Sequence, residues 1–368
     1  MNVSSLRQLD DPGKEQLYRE FWAGSRPGTV LISAGQRPRA SLAVSEEGRT
    51  EEPYSRHLAS ECARLRERDW SSDDAVPSPT VPIGPTGTIA TAFGSTYDPG
   101  LDWTSQCLRR PEEIWDLEPP RLGDGLTGRY LDGVRTVAEA IGNALPVCYA
   151  QVLQGPFSTC AMILDDQVLL EAMYTHPEAI HRLLGMVTDF IIDFAREARR
   201  LLARPVPTSF YDMYFPDGQG ICLCDDLAAV VSPWLYRDFV LPHMNRLSDA
   251  FGGVFLHACG NPSAVYPIWG EIRGFRGLDI GATEADLAEA FRCFSGSAVI
   301  ACHVGLNSAP HFASRLAVVE EILRHVTPES SVLINASTYI ANLPAVGPDE
   351  WDAESAQIVA RVRAHTKH

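Results

Sequence analysis

The chain has 368 residues, of which 45% are hydrophobic and 21% charged, a composition typical of a globular protein with a full apolar core. Its 31 basic and 47 acidic residues give a formal net charge of −16. That balance argues against nucleic acid or an anionic membrane as the main partner, because both attract basic surfaces. The polar segment 1–14 lacks the apolar core of a signal peptide, so a cytoplasmic location is expected.

Residues 1–70 have a polar, largely helical pattern with one apolar stretch at 29–33 that could form a strand. Prolines and glycines crowd the window 71–100, but interleaved apolar residues indicate an ordered loop region. From about residue 128, helical patterns alternate with short apolar segments. Strands are predicted at 146–152, 207–214, 220–226, 254–259, 277–280, 298–302 and 331–335.

This alternation predicts parallel β/α units, and an eighth strand near residue 30 or 88 would complete a closed (β/α)8 barrel. An open doubly wound sheet is the alternative, but no glycine-rich phosphate loop follows the first strand. The predicted organisation is an N-terminal helical extension over 1–70, packed on an α/β barrel over 71–368.

Two potential metal ligands, His257 and Cys259, stand two residues apart on one face of the strand at 254–259. Imidazole nitrogen and thiolate sulfur are ligands that zinc prefers. The alternative is a buried histidine beside an ordinary core cysteine, because H-x-C is short and structural zinc sites have four ligands. Cys302 ends a strand nearby and is the candidate third ligand, and Cys222 and Cys224 are further candidates.

Charged and aromatic residues also stand at other strand ends. Asp225 and Asp226 could act as a general acid or base, a substrate anchor or a ligand, or could cap a loop. Arg37 and Arg39 could hold a substrate carboxylate, or lie in an exposed turn. Tyr211 could line the site with aromatic surface, or pack in the core.

An ordered set of motifs extends this interpretation. It comprises Gln154-Gly155-Pro156-Phe157, Tyr174-Thr175-His176-Pro177-Glu178, Gly220-Ile221 with Asp225-Asp226, Val231-Ser232-Pro233 with Tyr236, Phe239-Val240 and Pro242, and His257-Ala258-Cys259-Gly260-Asn261. Across roughly residues 70–365, these motifs together resemble the uroporphyrinogen decarboxylase superfamily. The resemblance implies a (β/α)8 barrel with its site at the C-terminal ends of the strands.

The resemblance implies one of two chemistries. Decarboxylases of this superfamily need no cofactor and carry an N-terminal arginine fingerprint and a site aspartate. Residues 36–39 are at best a remnant of that fingerprint, and Asp73-Asp74 is a vague candidate for the aspartate. The cobalamin-linked methyltransferases use zinc held by H-x-C and a later cysteine. His257 and Cys259 match that pair, but the segment 334–338 has no cysteine, so Cys302 or an acid would substitute.

The main hypothesis is a zinc-dependent methyltransferase that moves a methyl group between a corrinoid or other small donor and a thiol or similar acceptor. The zinc ligands would be His257, Cys259 and Cys302, and the catalytic residues Asp226 and His257. The predicted substrate contacts are Arg37, Arg39, Tyr211, Asp225 and Asn335. The corrinoid would be carried by a partner protein. A homodimer is one possible assembly of the chain. The alternatives are a metal-free lyase acting on a carboxylated substrate and a non-catalytic barrel that binds a corrinoid or tetrapyrrole.

Overall fold

The computed structural model describes residues 3–24, 26–35, 52–81, 86–98, 103–149, 153–207, 213–304, 312–337 and 347–366. Its strands, numbered in chain order, are β1 (Val30–Ser33), β2 (Thr96–Asp98), β3 (Trp103–Ser105), β4 (Val147–Cys148), β5 (Pro205–Val206), β6 (Ile221–Cys224), β7 (Val254–Ala258), β8 (Phe275–Gly281), β9 (Val299–His303) and β10 (Ser331–Asn335).

Its α-helices are α1 (Pro12–Trp22), α2 (Glu52–Glu67), α3 (Thr88–Ala92), α4 (Thr127–Ile141), α5 (Pro156–Ala161), α6 (Asp166–Thr175), α7 (Pro177–Arg200), α8 (Pro233–Leu235), α9 (Leu241–Phe251), α10 (Tyr266–Trp269), α11 (Leu287–Phe294), α12 (Arg315–His325) and α13 (Pro348–His365). Short 3-10 segments lie at Val3–Leu9, Pro111–Asp116, Asp226–Ala229 and Ser263–Val265, and a π-helical turn at Tyr236–Val240. Local sequence sets several of these boundaries. The Ser314 hydroxyl, for example, caps α12 by accepting the Ala317 amide at 3.1 Å.

Six parallel strands form most of the barrel wall, in the order β1-β10-β9-β8-β7-β6. The segment 74–81 joins β1 through the Asp74 amide at 2.9 Å and β4 through the Val81 amide at 3.1 Å. The segment 153–155 joins β6 through the Gly155 amide at 2.7 Å. Among the described residues, these hydrogen bonds extend the six-stranded sheet by the segment 74–81 and β4 beyond β1 and by the segment 153–155 beyond β6, as expected of the predicted (β/α)8 barrel.

Most predicted strands are confirmed within two residues, including all four from β7 to β10. The expected strand at 207–214 differs, because the observed β5 ends at Val206 and residues 208–212 lie outside the described ranges. The buried apolar residues of β1 pair with β10, so β1 belongs to the barrel wall.

Helix α1 closes the amino-terminal end of the barrel. The Trp22 ring packs edge-on against Phe215 at 4.6 Å and Phe255 at 4.8 Å between ring centroids. A Cβ atom at Gly277 would approach the Trp22 ring to 3.1 Å, so the absence of a side chain there leaves room for the indole. The opposite, carboxyl-terminal end of the strands is referred to below as the mouth.

Strand alternation creates two apolar layers. Residues such as Phe255, Ala301 and Leu333 fill the barrel interior. Their chain neighbours Leu256 and Cys302 belong to the outer core that includes the buried helix faces. Which layer a residue enters decides whether it can reach the mouth of the barrel. Within the described ranges, no helix has the length and apolar character needed to cross a bilayer.

Candidate metal-binding site at the barrel mouth

The site begins where β7 reaches the mouth. The His257 side chain is 4% exposed and lies in register with Asp279 on β8. Its Nε2 atom is 3.5 Å from the Sγ atom of Cys259, which is half-buried just beyond the strand. Gly260 then adopts a φ of +75°, a left-handed conformation that glycine accepts readily, and the chain turns away.

Asp226 completes a group of three donor atoms. It begins the 3-10 turn after β6, and its Oδ1 atom accepts the Cys259 amide at 2.8 Å. The same oxygen lies 4.0 Å from the Nε2 atom of His257. The three donor atoms lie within 4.8 Å of one another. Glu284 also steadies this turn, since its Oε2 atom accepts the Gly260 amide at 2.8 Å.

Behind His257 lie two residues that the sequence analysis missed. The Asp279 carboxylate contacts the Nδ1 atom of His257 at 2.6 Å and the Nδ1 atom of His303 at 3.0 Å. All three side chains are buried. Two signals were available in the sequence, namely an acid inside the apolar strand at 277–280 and a histidine immediately after Cys302. Neither signal identifies its partner without the register of the strands.

The electrostatics of this group are strongly coupled. Burial by itself lowers the pKa of His257, but the facing Asp279 carboxylate overcomes this and raises that pKa to about 10. Burial raises the pKa of Asp279, but His303 and His257 together bring it down to about 2. These shifts favour an imidazolium–carboxylate pair, and a cation bound at Nε2 would replace the imidazolium proton.

Cys302, the predicted third ligand, is in neither of the two clusters of described residues that could hold a metal ion. Cys302 is fully buried in the outer core, and burial raises the pKa of its thiol. The next residue, His303, takes the inward position instead, because successive side chains of a strand point to opposite faces. Cys224 lies in register with His257, but its thiol belongs to neither of the clusters that could hold a metal ion among the described residues.

Asp225 is the predicted substrate contact that follows β6. It is fully buried, and its carboxylate accepts the hydroxyl of Tyr236, which in turn accepts the Trp269 indole N–H at 3.0 Å. Tyr236 and Trp269 belong to the outer core. Burial raises the pKa of Asp225 to about 7. The side chain therefore points into the layer between strand and helices, away from the barrel interior.

Asn335 lies in register with His303 at the end of β10 and is fully buried. Its Oδ1 atom accepts the Ser337 amide at 2.8 Å, while its Nδ2 atom has no hydrogen-bond partner in the described part of the chain. A role in substrate binding stays a prediction for this residue. Arg37, Arg39 and Tyr211 lie outside the described residues.

The donor set fits a zinc ion. A tetrahedral zinc with bonds of about 2.0 Å to nitrogen and 2.3 Å to sulfur places those two ligand atoms about 3.5 Å apart. The observed separation of His257 Nε2 and Cys259 Sγ is 3.5 Å. The Nδ1 atom of His257 faces a carboxylate, the arrangement that orients many metal-bound histidines.

Comparisons with known proteins find similarity to one family. The family model "Uroporphyrinogen decarboxylase (URO-D)" matches residues 88–203. A uroporphyrinogen decarboxylase of Nocardia farcinica is 29% identical over 134 residues, which cover 35% of this chain and 33% of that protein. One of Myxococcus xanthus is 24% identical over 168 residues, which cover 44% of this chain and 41% of that protein. Over these stretches the chain is similar to uroporphyrinogen decarboxylases, and the matches span less than half of the length of each of these relatives.

The barrel also resembles a methyltransferase from Methanosarcina mazei. The likeness covers 96% of this chain and 99% of that chain with a TM-score of 0.65. At 13% sequence identity it establishes the fold alone. The family-model match ends at residue 203, before Asp226, His257 and Cys259, so the chemistry of the site has to be argued from its own residues.

Proposed function

We propose that this protein is a zinc-dependent methyltransferase of the uroporphyrinogen decarboxylase superfamily, with His257, Cys259 and Asp226 as protein ligands of the metal. The observation that carries the proposal is the 3.5 Å separation of His257 Nε2 and Cys259 Sγ beside the Asp226 carboxylate. The nitrogen–sulfur spacing matches tetrahedral zinc, and the Asp226 carboxylate supplies an oxygen donor beside that pair. Three protein ligands leave one coordination position for a substrate, as in catalytic zinc sites.

Bound zinc would supply Lewis acidity, which keeps a coordinated thiol deprotonated and nucleophilic at neutral pH. The reaction forms a sulfur–carbon bond to the incoming methyl group and breaks the bond between that methyl group and its donor. With a methyl–corrinoid donor, the electron pair of the broken cobalt–carbon bond stays on cobalt. The thiol proton passes to solvent at the mouth of the barrel.

A methyl–corrinoid on a partner protein is the proposed donor. The mouth is the end of the barrel at which Asp226, His257 and Cys259 meet, so a donor has to approach from that side. The Methanosarcina mazei protein that shares the fold is a methyltransferase, which supports the proposed reaction class.

The metal-free lyase has weaker support. Asp73, the candidate for a decarboxylase aspartate, is buried, and its Oδ2 atom accepts the backbone amides of Ala34 at 2.9 Å and Gly35 at 3.0 Å. The same oxygen pairs with Arg68 at 2.7 Å. A carboxylate engaged by these donors holds the start of the segment 74–81 against the end of β1, a structural role.

The test is metal content together with methyl transfer. Protein purified under reducing conditions without chelator is expected to carry about one zinc per chain, because three side chains converge on one position. Addition of methylcobalamin and 2-mercaptoethanol should change the corrinoid absorbance spectrum with turnover. Protein that holds no zinc, and neither binds nor responds to added zinc, would contradict the proposal and put the lyase first.

A further inference from the structure

The residues behind His257 form a buried network, defined here as the relay, which comprises His257, Asp279 and His303. They come from the three neighbouring strands β7, β8 and β9. The two oxygens of Asp279 are divided between the imidazoles, with Oδ2 at 2.6 Å from His257 and Oδ1 at 3.0 Å from His303. The relay therefore extends from the proposed metal ligand on β7, through β8, to His303 on β9.

Burial makes both contacts structurally important. The Asp279 side chain is 0% exposed, and the side chains of His257 and His303 are 4% and 2% exposed. A buried carboxylate without donors is unfavourable, so each oxygen has to receive a hydrogen bond from the protein. Loss of the His303 imidazole would remove the donor to Oδ1 and allow the carboxylate to rotate towards another donor.

The sequence provides space for His303. Gly281 lies in register with His303 on the neighbouring strand, and a Cβ atom at position 281 would lie 3.2 Å from its Nε2 atom. That approach is closer than an ordinary van der Waals contact, so the missing side chain leaves room for the imidazole ring. An alanine at 281 would push His303 by a few tenths of an ångström without removing a polar group.

We propose that His303 is a positioning residue for the metal ligand His257 and acts on it through Asp279. The Nδ1–H group of His257 donates to Asp279, which leaves Nε2, facing Cys259, as the nitrogen at which a metal ion can replace a proton. His303 fixes the carboxylate by donating to its other oxygen. The inference rests on the proposed function, since it concerns how the proposed zinc ligand is oriented.

The experiment measures Co²⁺ affinity and the visible absorption of the cobalt-loaded protein, with competition by a chromophoric chelator. His303→Leu keeps the bulk and removes the donor, and it should weaken Co²⁺ binding by about tenfold or more, as loss of such outer partners usually does. His303→Asn places an amide N–H near the former Nδ1 position and should restore most of the affinity. Gly281→Ala should weaken binding while every polar group is retained.

The matched control is His243→Leu, which removes a buried histidine on α9 that bonds to Thr188, away from the relay. It should bind Co²⁺ like the wild type. If folding of His303→Leu fails by circular dichroism, the asparagine and Gly281→Ala variants still decide the question.

Wild-type affinity and spectrum in both His303→Leu and Gly281→Ala would overturn the inference while the proposed function survives. Binding of two Co²⁺ ions by the wild type, with one lost in His303→Leu, would overturn it by making His303 a ligand. A wild type that binds no Co²⁺ would overturn the proposed function and the inference together, and this result is seen before any variant is compared.

Discussion

Cys302 and His303 are consecutive residues of β9, yet their side chains lie in different layers of the barrel. His303 contacts Asp279 in the interior, whereas Cys302 packs in the outer core. Since a strand alternates its faces residue by residue, only one of the two can take part in a site at the mouth. The sequence analysis selected Cys302 as a candidate ligand and did not identify His303, which is the residue that faces the interior.

This relationship predicts opposite effects for two cysteine substitutions. Cys259→Ser should lose most of the bound zinc, because a thiolate ligand is replaced by a hydroxyl that stays protonated. Cys302→Ala removes a thiol that packs in the outer core, away from the metal ligands, and this variant should keep the metal. Zinc per chain is measured by elemental analysis after gel filtration in reducing, chelator-free buffer. Equal zinc loss in both variants would place Cys302 in the ligand set after all.

Asp226 has two separable tasks, and its substitutions should distinguish them. Its Oδ1 atom accepts the Cys259 amide at 2.8 Å and lies 4.0 Å from His257 Nε2. Asp226→Asn keeps an acceptor for the amide but removes the negative charge, so metal affinity should fall by about tenfold or more while thermal stability is retained. Asp226→Ala should lower both. If the asparagine variant binds zinc like the wild type, Asp226 serves only as an anchor of the turn.

Much of the fold follows from local sequence. The apolar segments that became β7 to β10 are short, continuous and separated by helical patterns, which is the signature of strands buried on both faces. The spacing of His257 and Cys259 predicts that they share a face, and the structure brings their ligand atoms to 3.5 Å. Both inferences depend on contacts within one segment of the chain.

The remainder of the site depends on the register between strands. Asp279 meets His257 because the two are paired across β7 and β8, and it meets His303 because β9 follows β8 with its own offset. A shift of one residue in that offset would have turned Cys302 inward instead. No pattern within a single strand specifies this register, so the sequence supports the ligand pair but not the relay.

Outside the site, Arg315 is expected to contribute to the stability of the fold. Its buried guanidinium donates to the Ala336 carbonyl at 2.7 Å and the Trp351 carbonyl at 3.0 Å, and it pairs with Glu354 at 2.8 Å. The charge also lies 3.4 Å from the centre of the Trp351 ring. These contacts fasten α13 to the chain just beyond β10, next to Asn335.

Arg315→Leu should therefore lower the free energy of unfolding by about 3 kcal/mol, because it removes the donor from two backbone carbonyls and a carboxylate. Urea denaturation followed by circular dichroism measures this change. Arg292→Leu is the control, since Arg292 forms an exposed pair with Glu289 within α11 and should leave stability unchanged. Equal midpoints for wild type and Arg315→Leu would show that α13 is held by its apolar face alone.

The final prediction concerns acid stability and His243. This buried imidazole donates from Nδ1 to the Thr188 hydroxyl at 2.9 Å, because that hydroxyl already donates to the Leu184 carbonyl. Burial, with smaller contributions from Arg246 and His181 that outweigh the attraction of Asp189, lowers the pKa of His243 to about 4. The folded protein therefore keeps His243 neutral at a pH where the unfolded chain binds a proton.

Because the pKa of His243 is lower in the folded state than the ordinary value near 6.5, its neutral form favours folding above that value. The advantage is lost as the pH falls from 6.5 towards 4, and by pH 4.5 the free energy of unfolding should decrease by about 2–3 kcal/mol from this group. His243→Asn retains an N–H donor near Thr188 but cannot titrate. Urea denaturation at a series of pH values measures the free energy of unfolding of both proteins. The wild type should be more stable than this variant by the largest margin at pH 7.5, and that margin should be about 2–3 kcal/mol smaller at pH 4.5. A difference that stays constant across the series would show that His243 does not resist protonation in the folded protein.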